Sequence, residues 1–138
     1  MKNLLFSILF LLFAVSSKGA KKSVSVLATG NWYKIAVQQD GVYKLSHSNL
    51  SALGVNISNL SCSNIRIFGN GGGMLAHLNS DFRYEDLEEN AILVVDNNAN
   101  GIFESNDYVL FYGQSPDRWS YNESDSRFHH KKNLFSRK

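Results

Sequence analysis

Six oxygen donors crowd one short stretch of this chain: the side chains of Asp96, Asn98, Asn100, Glu104 and Asp107, and the main-chain carbonyl of Ile102. They stand at offsets 1, 3, 5, 9, 12 and 7, with Gly101 at offset 6, where a wrapping loop must turn sharply. That is the spacing of a loop that encloses a calcium ion, which takes about six to eight oxygens at flexible geometry. Two features distinguish the segment from a helix-flanked site. Offset 12 is Asp107, shorter than the bidentate Glu of such loops, and the flanking residues are apolar and strand-like. The competing reading is a solvated turn, because Asn, Asp and Gly favour turns with no metal present. As a calcium site the loop is expected to tie down a hairpin connection, with affinity in the weak extracellular range.

The other reactive side chains form no pattern of comparable definition. Cys62 is the only cysteine, so no internal disulfide exists; it reads as a small core hydrophobe rather than a nucleophile. A thiol–imidazole pair would need His47 or His77 beside it. His47, His77, His129 and His130 lack the spacing of a zinc site. The run Gly69–Gly73 invites a phosphate reading, but no Gly-Lys-Ser/Thr follows and no helix opens after it. It reads as a structural turn. Trp32, Tyr112, Trp119 and Tyr121 would suit a sugar platform, against which stands their ordinary use as core or cross-strand pairs. The Asn-x-Ser sequons at Asn49, Asn56, Asn59 and Asn122 matter only in a eukaryotic secretory host.

The elements that must position these groups are mostly strands. Alternation marks Val24, Val26 and Ala28, and again Trp32–Gln38. Asp40-Gly41 then precedes Val42–Leu45, a pattern that predicts a tight hairpin between the two runs. Ser46 or Ser48 is suited to cap a short helix through Leu50 and Leu53, ending at Gly54. Val55–Ile57 and Asn64–Phe68 read as short strands, and Tyr84–Asn90 as an acidic connector. Ala91–Val95 and Tyr108–Tyr112 are the most apolar runs, and the acidic loop joins them. The expected fold class is mainly β, an antiparallel sandwich-like domain or twisted sheet with one short helix.

Residues 1–19 read as a secretory signal peptide. A positive start at Lys2 leads into an apolar run, Leu4–Val15, and small residues follow at Ser16, Ser17 and Gly19. The run is too short for a bilayer, which needs roughly 20 residues, and no cysteine follows it to take a lipid. The mature segment, 20–138, is expected to be a single β domain, incomplete at its C-terminal end, without a transmembrane segment. The whole chain carries 14 basic and 12 acidic residues; removing Lys2 and Lys18 leaves 12 of each. A neutral mature chain gives no case for nucleic-acid binding. The charge is uneven, however. Residues 81–107 hold eight acids against Arg83 alone, whereas 127–138 hold Arg127, Lys131, Lys132, Arg137 and Lys138 and no acid.

Several blocks occur in an order that resembles one family. Trp32-Tyr-Lys-Ile-Ala-Val, Asp40-Gly-Val-Tyr-Lys-Leu-Ser and Asn64-Ile-Arg-Ile-Phe-Gly-Asn-Gly-Gly come first. Glu89-Asn-Ala-Ile, the Asp96–Asp107 loop, Tyr108-Val-Leu-Phe-Tyr-Gly and Trp119-Ser-Tyr follow. Together they resemble the N-terminal region of type IX secretion system sortases, the PorU-type gingipain-like cysteine peptidases. The resemblance covers roughly residues 30–136. It implies an exported protein of a Bacteroidota-type bacterium, at the outer membrane and cell surface or in the periplasm. It also implies partners among other type IX secretion components or the sorting domains of cargo that the family trims and attaches. The family's catalytic Cys and His lie in a later domain, and no residue of this chain matches them. Phe128–Ser136 looks like the approach to a further strand whose partner is missing. Three functions are thereby expected in turn: a non-catalytic N-terminal domain of such a sortase; a free-standing secreted, calcium-stabilised β module that binds carbohydrate or a surface partner; and an enzyme that uses Cys62.

Overall fold

The structure, a computed structural model, describes residues 24–136; the expected signal peptide lies outside the described residues. The chain is mainly antiparallel β with one short helix, and its strands fall into three small sheets. The largest has the order β1-β5-β4, from β1 (Gly41–Ser46), β4 (Ile92–Val95) and β5 (Tyr108–Gly113). β5 lies in the middle and pairs along its whole length with β1, from Gly41↔Gly113 to Ser46↔Tyr108. β4 pairs with its other edge, from Ile92↔Phe111 to Val95↔Tyr108. Central position and period-2 alternation explain why Val109 and Phe111 are buried while Tyr112 is exposed.

Strand β1 runs directly into helix α1 (His47–Ala52). The junction is a capping box: the Ser46 hydroxyl accepts the Asn49 N–H, and the Asn49 side chain accepts the Ser46 N–H at 2.9 Å. The helix turns Leu50 inward to meet Phe103 and Val109. Leu45, Val55, Ile57, Leu60, Cys62, Ile65, Ile92 and Val94 pack around that nucleus. Fully burying an apolar side chain contributes roughly 1.5–3 kcal/mol, so a nucleus this small leaves much to the loops around it.

The second sheet pairs β2 (Ile67–Phe68) with β3 (Glu89–Asn90). Arg66 and Glu89 approach to 3.5 Å beside it, and both are exposed. The third is a hairpin of β6 (Arg118–Asn122) and β7 (Arg127–Lys131).

Several expectations are corrected. Asp40-Gly41 makes no hairpin turn, and Trp32–Gln38 is not a strand. Gly41 does not adopt the left-handed backbone such a turn requires. Asp40 instead accepts the Ser115 N–H at 2.6 Å, and Tyr43 Oη bonds both the N–H and the carbonyl of Gln39. These bonds hold the approach to β1 against its own sheet. Val24–Ala28 contains a 3-10 turn capped by Ser25, not a strand. Val55 and Ile57 place their side chains against the core without joining a ladder. Asn64–Phe68 shrinks to the two residues of β2, and the acidic connector contributes β3. The final strand has its partner: β7 pairs residue for residue with β6.

Candidate functional site

The Asp96–Asp107 segment is the connection between β4 and β5, closed at its base by the pair Val95↔Tyr108. Gly101 takes φ +79, the left-handed turn that offset 6 demands of a residue without a Cβ. Its far limb is stitched to the chain before β2: Cys62 N–H donates to the Gly101 carbonyl at 2.9 Å, and Phe103 N–H to the Leu60 carbonyl at 2.7 Å. These two bonds leave the Ile102 carbonyl out of the pairing.

Within the loop, each expected ligand is accounted for. Asp96 Oδ2 accepts the Gly101 N–H at 2.7 Å, while Asp96 Oδ1 is enclosed and has no hydrogen-bond partner. Asn98 Oδ1 takes the Asn100 N–H, and Asn100 Oδ1 takes the Ile102 N–H at 2.7 Å. The Asn98 amide meets Glu104 Oε2 at 2.6 Å, across the mouth of the loop. Asp107 is buried at the base of the loop. It is only 2% exposed, and its two oxygens accept the N–H groups of Asn97 at 2.9 Å and Glu104 at 2.7 Å.

An orphaned, enclosed carboxylate oxygen is a cost that a cation would relieve. Asp96 supplies that oxygen, Asn98 and Glu104 meet each other, and Asp107 braces the loop through two main-chain N–H groups. Among the described residues no three His, Cys, Asp or Glu side chains are placed to hold one ion. The Asn97 N–H, then the Glu104 N–H, hold the Asp107 carboxyl below its ordinary range despite burial, with smaller help from the Asn97 side chain and His47.

The remaining reactive groups take structural places. Cys62 is half-buried against the core, and burial, then the negative charges of Asp96 and Asp107, push its thiol up. A thiol so placed is protonated and a poor nucleophile at neutral pH. His47 stacks on Phe103, His129 Nε2 lies 2.7 Å from Asp125 Oδ2, and His130 Nε2 lies 3.8 Å from Asp117 Oδ2. In the glycine run, the Gly72 N–H donates to Gln114 Oε1 at 3.1 Å and the Gly73 N–H to the Pro116 carbonyl at 3.0 Å. Those donors are spent on the chain itself. A Cβ at Gly72 would collide with the Ser115 carbonyl, so the run is needed for close packing.

The four aromatic residues read as a platform are divided. Trp32 sets its ring edge-on to Phe68, with centroids 5.2 Å apart. Trp119 pairs with His130, and Tyr121 with Phe128, across the β6–β7 hairpin. Tyr112 and Trp119 do share one cleft, with Asp40, Gln114 and Arg118. Of these, the sequence marked Asp40 only as a turn residue; nothing in the spacing of Gln114 and Arg118 announces that the fold brings them to it. Among the described residues no helix is long and apolar enough to cross a membrane. No family model, curated protein or solved structure matches this chain.

Proposed function

We propose that this chain is the exported, non-catalytic N-terminal β domain of a type IX secretion system sortase, and that it works as a docking module. The observation that carries the reading is the face of the β6–β7 hairpin. Register places Trp119 opposite His130 and Tyr121 opposite Phe128, with all four rings on one side. Trp119 is 67% exposed and Phe128 69%, and Leu134 and Phe135 beyond them are more exposed still. Contiguous apolar surface of this kind marks interaction sites. The order of the resembling blocks supports the family assignment. The partners in this reading are other secretion components or cargo sorting domains, met at the outer membrane and cell surface or in the periplasm. Ca2+ is its structural ion, held by Asp96, Asn98 and Glu104 with oxygens from Asn100 and Ile102, while Asp107 positions the loop.

The test is retention of a purified cargo sorting domain, or of the other secretion components, on the immobilised chain. Retention is expected from the intact chain and falls about tenfold or more when Tyr121→Ala and Phe128→Ala are combined. Failure of the intact chain to retain any of them overturns the docking role. For the family, the coding frame is expected to continue past Lys138 into a gingipain-like peptidase with its His and Cys. A frame that ends without them favours the free-standing, calcium-stabilised secreted β module.

A further inference from the structure

A cleft of about 350 Å3 opens where the β5–β6 connection meets the start of β1, at the small end of the roughly 300–1,000 Å3 of ligand sites. Its walls combine two kinds of group. Tyr112 and Trp119 supply ring faces, and both are more than half exposed. Asp40, Gln114, Asp117 and Arg118 supply planar polar groups.

Most of those polar groups are oriented before any ligand arrives. Asp40 fixes one oxygen on the Ser115 N–H at 2.6 Å. Gln114 fixes its carbonyl oxygen on the Gly72 N–H, which leaves its amide NH2 as a donor. Asp117 fixes one oxygen on the Asn133 N–H at 2.8 Å. The Arg118 stem lies against the backbone of Gly73. Trp119 has His130 against its ring with centroids 4.8 Å apart, and the side chain nevertheless remains 67% exposed.

We infer that this cleft binds one or two rings of a neutral glycan, with the apolar face of a pyranose on Trp119 or Tyr112 and its hydroxyls between the fixed polar groups. Charge narrows the ligand class. Asp40 and Asp117 outnumber Arg118, which disfavours a phosphate or an acidic peptide and leaves a basic peptide as the competitor that the test includes. A hydroxyl-rich ring needs donors and acceptors side by side, and the cleft supplies both: carboxylates that only accept, a guanidinium that only donates, and an amide nitrogen. The inference does not depend on the sortase assignment, and it uses neither Tyr121 nor Phe128.

The experiment titrates the full chain with cellohexaose, chitohexaose, maltohexaose and mannohexaose, followed by calorimetry and by tryptophan fluorescence. At least one is expected to bind at micromolar to millimolar concentration. Trp119→Ala and Tyr112→Ala each weaken that binding about tenfold or more, whereas Tyr121→Ala on the same hairpin leaves it within about twofold. Because both rings are exposed, the variants are expected to unfold within a few degrees of the parent. Should either fail to fold, Arg118→Met and Asp40→Asn carry the same loss. Absence of binding to all four probes, binding unchanged in the cleft variants, or capture of an oligolysine peptide in place of the sugars overturns the inference.

Discussion

Asp107 and Gly101 hold the acidic loop in different ways, and each can be tested alone. Because the folded carboxyl of Asp107 titrates below its ordinary value of about 3.9, it stabilises the fold at all higher pH. That contribution is lost as pH falls through the ordinary value toward the depressed one. Asp107→Asn offers one acceptor oxygen for two N–H groups and turns an NH2 toward the second. Thermal melts from pH 7 to pH 3 are therefore expected to show a lower Tm for Asp107→Asn at neutral pH and a flatter acid limb. Gly101→Ala forces a Cβ into the left-handed region, where no neighbour crowds it, so the cost is conformational alone, about 1 kcal/mol by denaturant titration. The glycine was legible in the sequence because its spacing from Asp96 required a turn. The hydrogen bonds of Asp107 were not: only the fold shows its two oxygens accepting the N–H groups of Asn97 and Glu104.

At the scale of elements, local rules succeeded where the partner was near in sequence or the signal was a cap. The helix His47–Ala52 lies where the Ser46 cap, Leu50 and Gly54 placed it, and Ser46→Ala is expected to cost about 1 kcal/mol of stability. β4 and β5 are adjacent runs that pair with each other across their own loop. Alternation misled at Trp32–Gln38, because a strand exists only where another strand completes its ladder. β1 is an edge strand whose paired side belongs to β5, about seventy residues downstream, and Tyr43 and Asp40 hold the preceding chain by side-chain bonds. β3 was hidden for the converse reason: Glu89 and Asn90 have poor strand character and are extended by pairing with β2. Phe103 joins the elements. It is 1% exposed, donates its N–H to Leu60 and packs on Leu50 and Val109. Phe103→Ala is expected to cost about 3–5 kcal/mol, and folding measured by circular dichroism should show it as the most damaging of these substitutions.

For the whole molecule, stability converges on the acidic loop, which is tied at once to the main sheet and to the segment before β2. Calcium bound only by the folded chain, with a dissociation constant of about 0.1–1 mM, would add about 1–3 kcal/mol at 10 mM ion. A rise in Tm with calcium and a fall with a chelator are therefore expected; identical melts in both would remove the ion from the proposal. The sequence by itself determined the fold class, the helix and its cap, the two apolar strands of the central hairpin and the acidic loop between them. All of these follow from residue type and short spacing, which local sterics and periodicity read directly. The tertiary structure alone decided which strand pairs with which, that Asp96 rather than Asp107 carries the unpartnered oxygen, and that Asp40 meets Gln114, Arg118 and Trp119 in one cleft. Those contacts join residues up to about eighty positions apart, and no local energy term can select them before the core around Phe103 and Val109 closes.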